Sequence, residues 1–149
     1  MEQGWELAGA KAAILGRKVT GVQIGDSTDD LVLLTDRGPV RHALSDGQCC
    51  PSVIESITGV RALLDGGPVV DVEIAQEDLS GGNGYWCDRT RITFITEDSG
   101  HARQRTVVTA DNSRLGVTVM ALDPHEAVFA ERRFIEVAGD YQKAPWHEA

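Results

Sequence analysis

The spacing of hydrophobic positions changes at Gly16. Over residues 2–15 (EQGWELAGAKAAIL), Trp5, Ala8, Ala12 and Leu15 recur at intervals of three and four, the signature of one helical face, and Gly16 is placed to end it. From Arg17 the period falls to two. KVTGVQI predicts a first strand with Val19, Gly21 and Gln23 on one face and Thr20, Val22 and Ile24 on the other. Residues 25–30 are polar and read as a turn. LVLLTD (31–36), the turn Arg37-Gly38-Pro39 and a strand over 39–45 then predict a hairpin, with Pro39 at a strand start where a missing N–H is tolerated.

The next stretch, DGQCCPSVIESITGVRALLDGGPVV, returns to helical spacing through Val53, Ile54, Ile57, Val60, Leu63 and Leu64. Pro51 suits a first helical turn, Thr58 and Gly59 break the helix in two or shorten it, and Asp65-Gly66-Gly67-Pro68 stops it. VVDVEIA (69–75) alternates, with Val70, Val72 and Ile74 against Asp71 and Glu73, as a half-buried strand does. A Gly-rich loop over 76–88 leads to the clearest hairpin: RTRITFITE (89–97), the turn Asp98-Ser99-Gly100, and HARQRTVVTA (101–110). LGVTVMAL (115–122) is the last predicted strand. Beyond it, AVFAERRFIEVA fits a helix, or an edge strand through Phe134, Glu136 and Val137. The expected organisation is a helical arm over 1–16, one domain over 17–122 and a C-terminal extension over 123–149. The expected class is α+β: a mainly antiparallel sheet of about six or seven strands, one inserted helix, and helical or irregular termini. Edge strands and a wet sheet face favour self-association, most simply as a homodimer.

Composition narrows the partners. The 149 residues carry 14 Lys and Arg against 23 Asp and Glu, a formal charge of −9, which disfavours a surface that seeks nucleic acid or anionic lipid as a whole. No apolar stretch reaches the ~18–20 residues that span a bilayer, and the N-terminal residues lack signal-peptide character, so the expected location is cytoplasmic. Cys49, Cys50 and Cys87 are too few, and odd in number, for a disulfide framework.

Three blocks in order carry a resemblance: ILGRKVTGV, then Cys49-Cys50-Pro51-Ser52-Val53 with an apolar helix into LLDGGPVVDVEIA, then TRITFIT with its partner strand and RLGVTV. Over roughly residues 14–122 they resemble a family of uncharacterised small domains from tailed phages and bacteria that share a Cys-Cys-x-Ser-Val block. Pro51 replaces the family's Glu, and Leu115-Gly116-Val117 replaces its closing Gly-Tyr-Tyr. The resemblance implies a fold and a mobile-element origin, with a host cytoplasm as the site of action; it implies no activity.

Four groups of residues could carry chemistry. Cys49 or Cys50 at a helix start could be a reactive thiol, with His42 the nearest base in sequence; small residues at a turn explain the pair equally. Zinc would have to draw on Cys49, Cys50, Cys87, His42, His101 and His125, but no Cys-x-x-Cys spacing exists, so no metal or other cofactor is expected. Arg89, Arg91, Arg103 and Arg105 share one sheet face if a three-residue loop makes Glu97 face His101, and diverge if the loop has two residues. In the first case they either bind phosphate or carboxylate, or form a ladder of ion pairs with Asp71 and Glu73. Tyr85 and Trp86, in the Gly-rich loop, could stack on a ligand or cover a core edge. Asp29-Asp30 and Glu77-Asp78 read as solvated loop charge. The leading function is a non-enzymatic binding protein acting through protein–protein contact on a host or bacterial protein. The alternatives are a binder of a small anionic ligand, such as a nucleotide, and a thiol-dependent enzyme.

Overall fold

A computed structural model describes residues 11–25, 30–43, 53–78, 88–111, 118–121 and 134–142. Residues 11–14 form a helical turn, in which the Leu15 N–H donates to the Lys11 carbonyl, and Gly16 (φ 81°) ends it in the left-handed conformation. Ile14 is the core residue of this turn. Leu15 and Ala12, of the apolar face read from the sequence, are exposed.

The strands are β1 (Val19–Gly25), β2 (Asp30–Thr35), β3 (Gly38–Ala43), β4 (Val53–Thr58), β5 (Asp71–Asp78), β6 (Asp88–Glu97), β7 (Arg103–Asp111), β8 (Thr118–Ala121), β9 (Phe134–Glu136) and β10 (Tyr141–Gln142). They form two five-stranded sheets, β8-β3-β2-β1-β9 and β10-β4-β7-β6-β5, with neighbouring strands antiparallel throughout the described residues. The single sheet of six or seven strands is therefore corrected to two sheets in a sheet-rich fold with little helix. The physical reason is burial: each sheet has one apolar face, and with so few helical positions among the described residues the other sheet is what covers it. One core cluster joins Val22, Ile24 and Leu33 of the first sheet to Ile57, Ile92 and Phe94 of the second.

The helical reading of residues 53–58 is also corrected, while the break expected at Thr58 and Gly59 falls where the helix begins. Residues 53–58 are strand β4, and only Val60–Asp65 is helical. A β-bulge explains the misleading spacing. Ile54 pairs with Ala110 and Ser56 with Thr109, so Glu55 is an extra residue and both Ile54 and Ile57, three apart, face the core. The same device acts in β1. Val19 pairs with Thr35 and Gly21 with Leu34, so Thr20 is extra and Val19 joins Val22 and Ile24 inside, instead of lying on the opposite face. Val70 departs from the expected row as well: its N–H donates to the Ile95 carbonyl ahead of β5, and its side chain is exposed while Val69 is buried.

The short helix is held at both ends by distant residues. Asp140 Oδ1 accepts the Gly59 N–H at 2.8 Å and the Val60 N–H at 3.3 Å, and Lys18 Nζ donates to the Leu64 carbonyl. Residues 134–142 link the sheets, since β9 pairs with β1, β10 pairs with β4, and between them the Val137 N–H donates to the Val22 carbonyl. The strand alternative for Phe134 to Glu136 is the one realised.

Candidate functional site

The β6–β7 hairpin sets the geometry of the arginines. Glu97 pairs with Arg103, Ile95 with Arg105 and Thr93 with Val107, so the expected pairing of Glu97 with His101 is displaced by two positions. The cause is Asp98. Its N–H donates to the Ala102 carbonyl, and its Oδ1 accepts the Gly100 and Ala102 N–H groups at 2.9 Å each, which moves the three-residue loop to Ser99–His101. His101 takes the left-handed position of such a loop (φ 66°). A displacement of two preserves the side-chain face. Arg89, Arg91, Arg103 and Arg105 therefore share the outer face of the second sheet with Asp71, Glu73 and Glu77 of β5, while Ile92, Phe94 and Val108 face inward.

Carboxylates on β5 answer these cations. Arg105 Nη1 reaches Glu73 Oε1 at 2.8 Å, across the intervening strand β6, and Arg91 Nη1 lies 3.3 Å from Glu77 Oε1. Glu77, read from sequence as loop charge, is thus a strand residue in an ion pair. The Arg105–Glu73 pair passes between the β6 positions Thr93 and Ile95, and Ile95 is fully buried although it belongs to this outer face. Stems of long charged side chains cover apolar surface in this way. At the end of β5, Lys11 Nζ sits 3.1 Å from Asp71 Oδ1. That lysine, with the Val72 N–H and the charge of Arg103 in support, holds the Asp71 carboxyl below the usual carboxylate range.

The other candidates divide. Cys49, Cys50, Cys87, Tyr85, Trp86 and His125 lie outside the described residues. His101 is exposed at the hairpin loop, with Nδ1 3.7 Å from Glu97 Oε1. His42 is elsewhere. It is fully buried between the sheets, its ring meeting Phe94 of β6 edge-on at 5.4 Å between centroids and 88° between planes. Among the described residues, neither ring nitrogen has a hydrogen-bond partner. Desolvation pushes its pKa down to about 4, against a weaker opposite pull from the Leu31 and Val40 backbone groups, which fall short of hydrogen-bond geometry. Sequence reasoning weighed His42 only as a base or metal ligand. The alternation of β3, which puts it on the same face as buried Val40, is the signal that marks it as a core residue.

Comparison with family models, with curated proteins and with solved structures returns no match.

Proposed function

We propose that this chain is a non-enzymatic binding protein, of the phage or mobile-element kind that its Cys-Cys-Pro-Ser-Val block resembles, and that it acts through protein–protein contact on the outer face of β5, β6 and β7. The observation that carries this reading is the cross-strand pairing of Arg105 with Glu73 and Arg91 with Glu77, with all four side chains about half exposed. A patterned surface of both signs suits a partner with its own complementary pattern, since pairs within the chain can be exchanged for pairs across an interface and wrong partners meet like charges. A free phosphate gains less here, because it must compete with carboxylates already seated on the guanidinium groups.

The test uses immobilised wild-type chain and the double variant Arg91→Glu plus Arg105→Glu in host lysate, with circular dichroism showing that both are folded. A protein retained by the wild type and lost by the variant supports the reading. Equal recovery of every protein by both sinks it. A melting shift with a nucleotide panel, abolished by Arg91→Ala plus Arg103→Ala, would favour the anionic-ligand alternative instead. Fast alkylation of Cys49 or Cys50 at neutral pH would favour the thiol enzyme.

A further inference from the structure

We propose that His42 is an acid-sensitive latch between the two sheets: neutral, it closes the contact of β3 with Phe94 on β6, and protonated, it opens that contact. The geometry leaves the charged ring nowhere to stay. It is fully buried at the inter-sheet contact, and among the described residues neither nitrogen meets an acceptor in hydrogen-bond geometry. The row that crosses its own sheet pairs it with Leu31 of β2, with Ile24 of β1 beyond, and on the other side with Val119 of β8, and the second sheet presents Phe94. None of these side chains can take up a proton or offer a countercharge, and the Leu31 and Val40 backbone groups favour the charged ring less than burial disfavours it. Among the described residues, the acidic positions of β5 and β6 in step with Phe94 by strand register are Asp78 and Asp88, which pair with each other. Asp88 is six residues along β6 from Phe94, ~20 Å at strand rise, too far to answer an imidazolium.

A buried cation without a partner is relieved by deprotonation or by letting water in. An edge-on aromatic contact offsets only part of that cost. The direction follows from linkage. Burial depresses the folded-state pKa, so between the ordinary value of 6.5 and about 4 the unfolded chain binds the extra proton, and stability falls as the pH falls through that window.

Two measurements on the full chain test the latch. In urea titrations at pH 7.5 and pH 4.5, the unfolding equilibrium constant of the wild type rises on the order of 50-fold on acidification, and the rise is smaller by about that factor in His42→Leu. An equal acid response in both chains overturns the proposal. The second measurement needs no variant to fold. By NMR, the His42 ring signals hold their neutral positions through pH 6, and the His42–Phe94 ring cross-peaks vanish together with the onset of titration. Titration with a midpoint near 6.5 while those cross-peaks persist overturns it as well.

Discussion

Asp140 Oδ1 accepts the backbone N–H of Gly59 at 2.8 Å, a bond between residues 81 apart in sequence. Gly59 itself has no side chain with which to cap the helix that follows, so a carboxylate from the segment between β9 and β10 does so. One contact thereby satisfies two helix-start donors and fastens the segment that joins both sheets. Replacing Asp140 by Ala is expected to cost ~1 kcal/mol, the usual size of a lost N-cap. Asp140→Asn, which keeps the accepting oxygen, should cost less. Urea unfolding of the three chains checks the order, and equal stability of wild type and Asp140→Ala would remove the cap from the account.

Gly59 gives a second expectation because two constraints coincide there. Its φ is 77°, and a Cβ at this position would stand 2.4 Å from the Arg105 carbonyl oxygen. The left-handed conformation alone costs an alanine ~1–2 kcal/mol, and crowding against β7 backbone, which cannot swing aside, adds ~1–3 kcal/mol. Gly16 is the control: its φ is 81°, but a Cβ there meets nothing within 4 Å. Gly59→Ala should therefore lower the melting temperature clearly more than Gly16→Ala. Equal shifts would mean that β7 yields to the methyl group.

Much of this architecture was legible in the residue pattern, and the failures have a common cause. Turn chemistry located the two hairpins because Arg37-Gly38-Pro39 and Asp98-Ser99-Gly100 lie between alternating runs. Alternation cannot anticipate an inserted residue. The extra Glu55 turns the Ile54 and Ile57 spacing into three, which imitates a helix, and the extra Thr20 moves Val19 to the opposite face. The arginine face was legible because a loop shift of two keeps side chains on their side; its pairing was not, since it depends on where the Asp98 carboxylate binds. Glu73 reaching over β6 to Arg105 is beyond any strand-by-strand reading, though the ion-pair ladder was one of the two readings of those arginines.

The Arg105–Glu73 pair should contribute little to folding despite its 2.8 Å distance. Both side chains are more than half exposed, where solvent and the ordering of two long chains offset most of the attraction. A double-mutant cycle with Arg105→Ala and Glu73→Ala is expected to return a coupling of ~0.2–1 kcal/mol, falling as salt is raised from 0.05 to about 0.5 M. A larger coupling that ignores salt would show that the pair is shielded, as the burial of Ile95 beneath it would then explain. A small coupling leaves these side chains energetically cheap to redirect toward a partner.

Asp71 supplies a pH dependence separable from that of His42. Its carboxyl titrates below the ordinary 3.8 because Lys11, and then the Val72 N–H, favour the ionised form. For a carboxylate with a depressed folded-state pKa, the stabilisation is fully present above the unfolded value and is lost as the pH falls through the folded one. The Asp71 contribution is therefore intact at pH 4.5 and disappears below pH 3.8, whereas the His42 window lies between 6.5 and about 4. Asp71→Asn should leave the acid response between pH 6.5 and 4.5 unchanged and flatten the part below it, and Lys11→Met should act in the same direction. Carboxyl NMR titration provides the direct reading. An Asp71 midpoint at or above 3.8 in the folded chain would show that Lys11 does not hold it, and would reduce the contact of the N-terminal turn with β5 to packing.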